Sequence, residues 1–407
     1  MRGRAIIVLI AIFCVVNEVA AQSVVNRSDT LSLDYSPIDY VAVMEQLNRA
    51  SQPTAWQRFS DWLFKKHDIE EEQTRNLRVD GGIGVGYTQE TNAMFVASVV
   101  GRYLLKSGDE SLPYSVTSLT GLVSANGSFR AVTSSDFALS GHDCVSLYIG
   151  GGSMPANFWG LGYEAADNNH VSQYVRKDFQ TNVEYVRRIV GGLSVGTNLD
   201  FRYAAVDKVE SLAWDYLQNA GMKNLSAAML GAGATVKYDG RTERGTQING
   251  VFLQLRGVAY PAIFACNDDT IWHVEATADY YQPLWAGGEL ALDLYADLWS
   301  WNTPWMFWAK VGGENRMRGY YYGRYTDRKM ATAQIELRQK IYKALSCAAW
   351  MGAGSVFSSH KLFDIDNVLP NYGLGVRVAL AKNLTLRVDY GFGRHSHGLI
   401  INVNEAF

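Results

Sequence analysis

The chain has 407 residues, and its 37 basic and 40 acidic side chains give a formal net charge of −3. This balance excludes the strongly basic surface with which most proteins bind nucleic acid, so we expect no nucleic-acid partner. The chain contains 38 Gly, 23 Tyr and 11 Trp but only 8 Pro, a composition typical of a large antiparallel sheet with many turns. A soluble β-protein is the alternative on composition alone.

The first residues have the pattern of a secretory signal peptide. Arg2 and Arg4 precede an apolar run at 5–16 that is too short to span a bilayer as a helix. Small residues then supply a cleavage point before Gln22. We therefore predict that residues 1–21 are a signal peptide and that the protein is exported through the periplasm.

Residues 22–75 have two helical patterns, the second with an apolar stripe of Trp56, Phe59, Trp62 and Leu63. We predict a short periplasmic helical segment, since this length is thin for an independent domain without disulfides. The stripe would rest on the membrane surface, plug a barrel, dock a partner or pack on the barrel mouth. The sequence leaves these alternatives open.

Residues 76–407 repeatedly alternate apolar with polar residues, as half-buried strands do. Leu, Ile and Val occupy one parity, and charged or small residues occupy the other. The segments run to about ten residues, the length with which a tilted strand crosses the hydrocarbon core. The clearest segments are 289–299, 333–341, 373–380 and 384–392.

Two further observations favour a membrane barrel over a soluble sandwich. Aromatic residues crowd the stretch LWSWNTPWMFW, 298–308, which is typical of an interfacial girdle, and the signal peptide supplies a route to an outer membrane. In lipid every backbone group must be bonded within the protein, so the sheet must close on itself. We predict an all-β transmembrane antiparallel barrel over 76–407, with the apolar parity toward lipid and the polar parity toward the lumen. At about 20 residues per strand and connection, it would have about 16 strands.

The last ten residues, GLIINVNEAF at 398–407, have the alternation of a final strand that ends on an aromatic residue. Phe407 lies on the apolar parity, whereas Asn402 and Asn404 lie on the polar one. Glu405 interrupts the apolar parity, so we expect it at the level of the lipid headgroups, where a charge is tolerated.

The first strand is predicted at 79–88, VDGGIGVGYT, and would close the barrel against the last strand. Its glycines remove side chains that would pack and leave a strand that is easily distorted, so closure would be weak. Bulky lumen neighbours or barrel curvature explain the glycines equally well. The residues of this predicted lateral seam are Gly81, Gly82, Gly84 and Gly86 with Asn402 and Asn404.

One loop motif is more specific than alternation. Met317, Arg318, Gly319 and Tyr320 form a sequence that resembles the [VI]-R-G-[FY] signature of the outer-membrane insertase and translocon superfamily, with Met317 in place of Val or Ile. This is the Omp eighty-five or bacterial surface antigen family. The resemblance implies a 16-stranded outer-membrane barrel of a Gram-negative bacterium. It also implies that a long sixth extracellular loop folds back and carries the motif into the lumen.

The same resemblance implies an acidic partner for the motif arginine, because a guanidinium inside a barrel is costly unless it meets a carboxylate. Glu336 lies on the lumen parity of the next strand, matches the family's acidic position and is the first choice of partner for Arg318. The family's F-x-D-x-G strand reads WMGAG here, with Gly352 in place of the Asp. Asp389 is therefore the alternative acid.

The segments 155–164 and 371–407 are also similar to parts of the family, and Phe407 looks like the C-terminal signal by which the assembly machinery takes up barrel clients. The resemblance implies a role in outer-membrane protein insertion, assembly or translocation. Residues 22–75 cannot hold a whole POTRA domain, so the chain looks like a barrel-only branch of the family. The competing hypothesis is a passive pore, or a structural barrel with a lumen-plugging loop.

The partners expected on this basis are outer-membrane lipid, the barrel-assembly machinery and periplasmic or lipoprotein components. We expect the assembly machinery to insert this protein as a client. The protein would also be a component of that machinery if it takes part in assembly itself. The histidines are scattered and no nucleophile motif is present, so we predict no enzyme activity, no catalytic residue, no metal and no cofactor.

Overall fold

The computed structural model describes eleven segments of the chain, and the predicted signal peptide and the predicted helical segment at 22–75 lie outside them. No helix among these residues is long and apolar enough to cross a membrane. The described segments are 77–88, 91–105, 113–168, 170–222, 224–244, 247–265, 268–342, 344–358, 365–381, 384–403 and 405–407.

The described residues form a closed antiparallel barrel of sixteen strands, which confirms the predicted fold class. Each strand pairs with its neighbour in the chain, and the last strand pairs with the first. The strands of the first half are β1 (Leu77–Thr88), β2 (Asn92–Tyr103), β3 (Ser115–Ser124), β4 (Phe129–Ala138), β5 (Asp143–Phe158), β6 (Ser172–Val190), β7 (Leu193–Asp207) and β8 (Ser226–Asp239).

The second half contains two features besides barrel strands. A short β9 continues β8 against the same neighbour, so the two act as one barrel strand, and β13 pairs with β14 in a separate ribbon. The elements are β9 (Thr242–Arg244), β10 (Gln247–Tyr260), β11 (Ile271–Trp285), β12 (Gly288–Trp299), β13 (Ala309–Lys310), β14 (Thr326–Asp327), β15 (Lys329–Tyr342), β16 (Leu345–Phe357), β17 (Leu369–Ala381), β18 (Leu384–Gly393) and β19 (Ser396–Val403).

The two ends of the barrel differ in their connections. At the terminus end, where β1 begins and β19 ends, turns such as 191–192 and 286–287 have two residues. At the opposite, loop end, the connections hold α1 (Tyr163–Asp167), α2 (Ser211–Asn219) and the long segment 300–328. Outer-membrane barrels have short turns on the periplasmic side and longer loops outside, which matches this asymmetry.

The walls follow the predicted alternation. On β17 the side chain of Leu374 is 67% exposed and that of Arg377 is 1% exposed. On β12 Leu294 is exposed while its neighbour Asp293 is fully buried. The outside of the barrel is therefore apolar and the inside polar, as lipid on one side and a filled lumen on the other require.

The aromatic stretch 298–308 does not form the predicted girdle. After β12 ends at Trp299, the chain turns into the barrel and makes a 3₁₀ turn at Trp305–Phe307. The buried side chains of this stretch belong to one apolar cluster with residues of α1 and α2, and Trp301 is exposed. The buried aromatic residues of the stretch are Trp299, on the lumen parity at the end of β12, and Trp305, Phe307 and Trp308 beyond it.

The end of the chain also departs from prediction, because β19 ends at Val403 and the period of two stops there. Glu405 Oε2 lies 3.2 Å from Arg377 Nε, which places this acid with lumen arginines and not among lipid headgroups. The ring of Phe407 lies 5.1 Å from the guanidinium of Arg338, and Arg338 Nη2 donates to the main-chain oxygen of Phe407 at 2.9 Å. Contacts with the lumen arginines therefore place the last residues inside the barrel.

Candidate functional site

The candidate site is the connection between β12 and β15, residues 300–328, which we call the lumen loop. Its tip carries the predicted motif into the barrel, where the side chains of Met317, Arg318 and Tyr320 are at most 2% exposed. The tip is a tight turn, since Met317 has φ of 51° and Gly319 has φ of 105°. The motif is thus enclosed by the strands around it.

Arg318 lies between the two acids named from the sequence. Its Nη1 donates to Asp389 Oδ2 on β18 at 2.8 Å, and its Nη2 donates to Glu336 Oε2 on β15. The guanidinium also lies 3.7 Å from the ring centroid of Trp350 on β16, a cation–π contact. The structure therefore brings the first-choice and the alternative acid together on one fully buried arginine.

The departure at Gly352 has a steric reason. A Cβ at this position would come within 2.6 Å of the Ala333 carbonyl oxygen and 2.8 Å of Gln334 Cβ. An aspartate therefore has no room in this wall. Asp389, which reaches Arg318 from the other side, supplies the second carboxylate instead.

Three wall arginines that the sequence analysis did not single out bind the same acids. Arg338 Nε donates to Glu336 Oε1 at 2.8 Å, and Arg377 Nη1 donates to Asp389 Oδ1. Arg387 Nη1 lies 3.4 Å from Asp389 Oδ2. Their positions on the lumen parity, which the acids share, are the signal that identifies them in the sequence.

These side chains form one array, which we call the arginine network. Glu289 accepts from Arg338 Nη1 at 3.1 Å, and Glu405 closes the array at the terminus end. The formal charges of its members cancel, as a buried array of ions requires. The members among the described residues are Arg318, Arg338, Arg377, Arg387, Glu289, Glu336, Asp389 and Glu405.

The backbone of the motif is bound as tightly as its side chain. A Cβ on Gly319 would lie 2.5 Å from the Gly391 carbonyl carbon, so only glycine fits against β18 here. Ser396 Oγ on β19 donates to the Gly319 carbonyl oxygen at 2.7 Å, and Asn371 Nδ2 on β17 donates to the Arg318 carbonyl oxygen. Contacts to three strands hold the tip of the lumen loop.

Tyr320 completes the motif at the loop end of the lumen. Its hydroxyl donates to the Pro370 carbonyl oxygen at 2.6 Å and accepts from the Arg394 backbone N–H at 2.6 Å. Burial raises the pKa of Tyr320 to about 12, so the phenol stays protonated and keeps its donor. Its ring covers Gly393, where a Cβ would lie 2.3 Å from ring atoms.

The residues just before the motif reach other strands. Arg316 Nη2 donates to Asp293 Oδ1 on β12 at 2.7 Å, and its guanidinium lies 4.0 Å from the ring centroid of Tyr295. Asn402 Nδ2 on β19 donates to the Glu314 carboxylate. The lumen loop therefore bridges the lumen from β12 to the last strand.

The predicted seam lies between β1 and β19. β1 pairs with β2 along its whole length, but among the described residues it shares one register pair with β19, Tyr87 with Ile401. Asn402 is adjacent to this pair, and Asn404 lies outside the described residues. The four glycines of the prediction, Gly81, Gly82, Gly84 and Gly86, all lie within β1.

Two of these glycines differ in their surroundings. A Cβ on Gly86 would lie 2.7 Å from Met94 Cε and 3.3 Å from the Ile401 carbonyl oxygen, so a bulky lumen neighbour and the closing strand both restrict this position. A Cβ on Gly81 would meet nothing closer than 3.6 Å, so no neighbour requires glycine there. A functional role of these glycines stays a prediction.

No protein-family profile matches the chain, and no curated protein matches it in sequence. Solved structures are similar. BamA from Haemophilus ducreyi lacking POTRA domains 1–3 has a TM-score of 0.55 at 14% identity, with 80% of this chain and 70% of that chain covered.

CdiB is the second similar protein. CdiB from Acinetobacter baumannii has a TM-score of 0.55 at 12% identity, with 81% of this chain and 60% of that chain covered. CdiB from Escherichia coli has a TM-score of 0.56 at 9% identity, with 81% and 63% covered. The chain thus spans less than two thirds of either CdiB chain.

Sequence identities of 9–14% support a shared fold and nothing more. That fold is the one implied by the resemblance at the loop motif. BamA and CdiB both have the 16-stranded barrel of the Omp eighty-five superfamily. This chain has the same 16-stranded barrel fold as BamA and CdiB.

Proposed function

We propose that this protein resides in the outer membrane and acts in the insertion, assembly or translocation of other outer-membrane proteins, alone or as a component of a complex. The observation that carries the proposal is the narrow closure between β1 and β19, which share one register pair among the described residues. A strand edge with little pairing is a template for an incoming strand. The fold shared with BamA and CdiB supports the same function.

The length of the last strand supports this proposal. β19 has 8 residues, whereas β6 has 19. A tilted strand needs about nine to eleven residues to cross the hydrocarbon core, so the described length of β19 lies at the lower limit and favours thinned lipid beside it. Thinned lipid next to a weakly paired edge lowers the barrier for a client strand, and no bond-making chemistry is required.

The lumen loop would control passage through the barrel. Its buried ion pairs and hydrogen bonds fix it across the lumen, and one buried arginine joins two wall acids. The same contacts favour the alternative function, a passive pore or structural barrel in which the loop is a plug. The two functions differ in whether other proteins depend on the barrel.

Depletion of the protein separates these two functions. We expect depletion to lower the amount of specific outer-membrane barrel proteins, measured by quantitative mass spectrometry of isolated outer membranes. Affinity isolation in mild detergent should recover assembly or secretion components, including periplasmic or lipoprotein partners, in stoichiometric amounts. An unchanged outer-membrane proteome, with the protein recovered alone and ordinary ion conductance, would reject the proposal in favour of the pore.

A further inference from the structure

Glu314 links the lumen loop to the last strand. Its carboxylate accepts a hydrogen bond from Asn402 Nδ2 on β19. Beside it, Asn315 Oδ1 accepts a hydrogen bond from Arg387 Nη2 on β18 at 3.3 Å. Because Arg387 and Asn402 are register partners, two consecutive loop residues bind one cross-strand pair.

This contact lies where the closure of the barrel is thinnest. Asn402 follows Ile401, which pairs with Tyr87 on β1. On its other edge β19 is in register with β18 from Ser396 to Val403. Backbone pairing therefore holds β19 to β18 along the whole strand but to β1 at one described pair. A side-chain contact at Asn402 consequently has a large share in positioning β19 against β1.

The same loop segment is tied to the rest of the lumen. Arg316 binds Asp293 on β12, and Arg318 binds Glu336 on β15 as well as an acid on β18. Glu314 and Arg318 are four positions apart, so their Cα atoms can separate by at most about 14 Å, and a displacement of the arginine tip beyond that reach also moves Glu314. The position of the tip and the contact with Asn402 are therefore not independent.

We propose that Glu314 is a latch that couples the lumen loop to the seam. With the loop in place, the carboxylate holds Asn402 and keeps β19 in position to close on β1. When the loop moves, this contact is lost and the seam opens more readily. Linkage requires the reverse as well, so a strand that displaces β19 weakens the hold on the loop. The client strand rests on the proposed function, whereas the latch concerns two parts of this chain.

A disulfide across the seam measures whether it is closed. Tyr87→Cys and Ile401→Cys are register partners, and directly opposed residues of antiparallel strands lie within disulfide distance. The native Cys144, Cys266 and Cys347 are first replaced by Ser. The full-length protein is then oxidised in lipid vesicles, and the rate and yield of the cross-link are measured.

The control pair is Tyr390→Cys with Leu399→Cys, which joins β18 to β19 away from the seam. We expect Glu314→Ala to raise the open fraction of the seam roughly tenfold, the size expected for loss of a hydrogen bond to a charged group, with the control cross-link unchanged. Glu314→Gln retains an acceptor oxygen and should preserve most of the seam cross-link. Asn402→Asp places a second carboxylate against that of Glu314 and should lower the yield of the seam cross-link at least as far as Glu314→Ala does.

Equal seam cross-linking in wild type, Glu314→Ala and Asn402→Asp would overturn the latch. Loss of the control cross-link together with the seam cross-link would also overturn it, because the effect would not be confined to the seam. Glu164→Ala, which removes an exposed acid of α1, controls for the change in charge. No client protein enters this assay, so a normal latch result without any client defect on depletion would reject the proposed function and leave the latch standing.

Discussion

At the scale of single residues, Arg318 is the fully buried charge that joins the lumen loop to the wall. Its guanidinium has no access to solvent and has exchanged water for two carboxylates and an indole ring. A buried ion pair gains little net stability over apolar packing, but removal of one partner leaves the other buried and unpaired. Arg318 is therefore better suited to fixing the position of the loop than to stabilising the barrel.

Arg318→Ala should loosen the lumen loop without unfolding the barrel. Breaking a buried pair costs about 3–5 kcal/mol, and the lower part of this range is expected because the arginines around Glu336 and Asp389 partly compensate. We expect faster protease cleavage within 300–328 and an unchanged heat-modifiability shift on gels. Arg241→Ala, which removes an exposed pair with Asp239, is the matched control. Protease sensitivity equal to wild type would contradict this role.

Gly319→Ala tests the close contact between the loop tip and β18. The new methyl group would meet the Gly391 backbone at 2.5 Å, and the residue would be strained at φ of 105°. We expect the variant to destabilise the closed position of the lumen loop by about 1–3 kcal/mol. This should appear as faster protease cleavage within 300–328. Gly121→Ala, where a Cβ meets nothing within 4 Å, is the control. A variant as resistant as wild type would show that the tip does not need this contact.

At the scale of elements, the lumen loop has two parts with opposite surroundings. Its first part carries Trp301, which is 73% exposed at the loop end, and its tip carries Met317, which is 1% exposed. The two positions are 16 residues apart in sequence. In the proposed outer-membrane orientation, with the loop end outside, accessibility from outside the cell should therefore change sharply along one connection.

Cysteine labelling measures this contrast in intact cells. In a background without native cysteines, we expect a membrane-impermeant maleimide to modify Trp301→Cys readily and Met317→Cys at least about tenfold more slowly, because enclosed thiols are poorly accessible. Addition of Arg318→Ala should speed labelling at position 317. Equal labelling of the two single variants would place the tip outside the lumen and contradict the structure.

Alternation in the sequence predicts the strands and their two faces, but only where the chain remains extended. It fails at 298–308 and after Val403, because the chain leaves the wall there and the period of two no longer reports which face is buried. Sequence resemblance identifies Arg318 and Glu336. Parity marks Asp389 and the wall arginines as lumen residues. It does not predict which lumen residues meet: Arg318 and Asp389, 71 positions apart in sequence, come together only because the barrel closes.

At the scale of the whole molecule, the described barrel is unevenly held together. The lumen loop and the arginine network bind the wall from β12 to β19, whereas β1 and β19 meet at one described register pair. An uneven barrel of this kind is suited to opening at one line while the rest of the wall stays intact.

Photocross-linking in living cells tests whether client strands meet the protein at the seam between β1 and β19. A photoreactive amino acid at Tyr87, on β1 beside the last strand, is compared with one at Leu255, an exposed residue of β10 on another part of the wall. We predict that position 87 captures newly exported outer-membrane barrel proteins and that position 255 does not. Equal capture at both positions, or no protein captured at position 87, would contradict it.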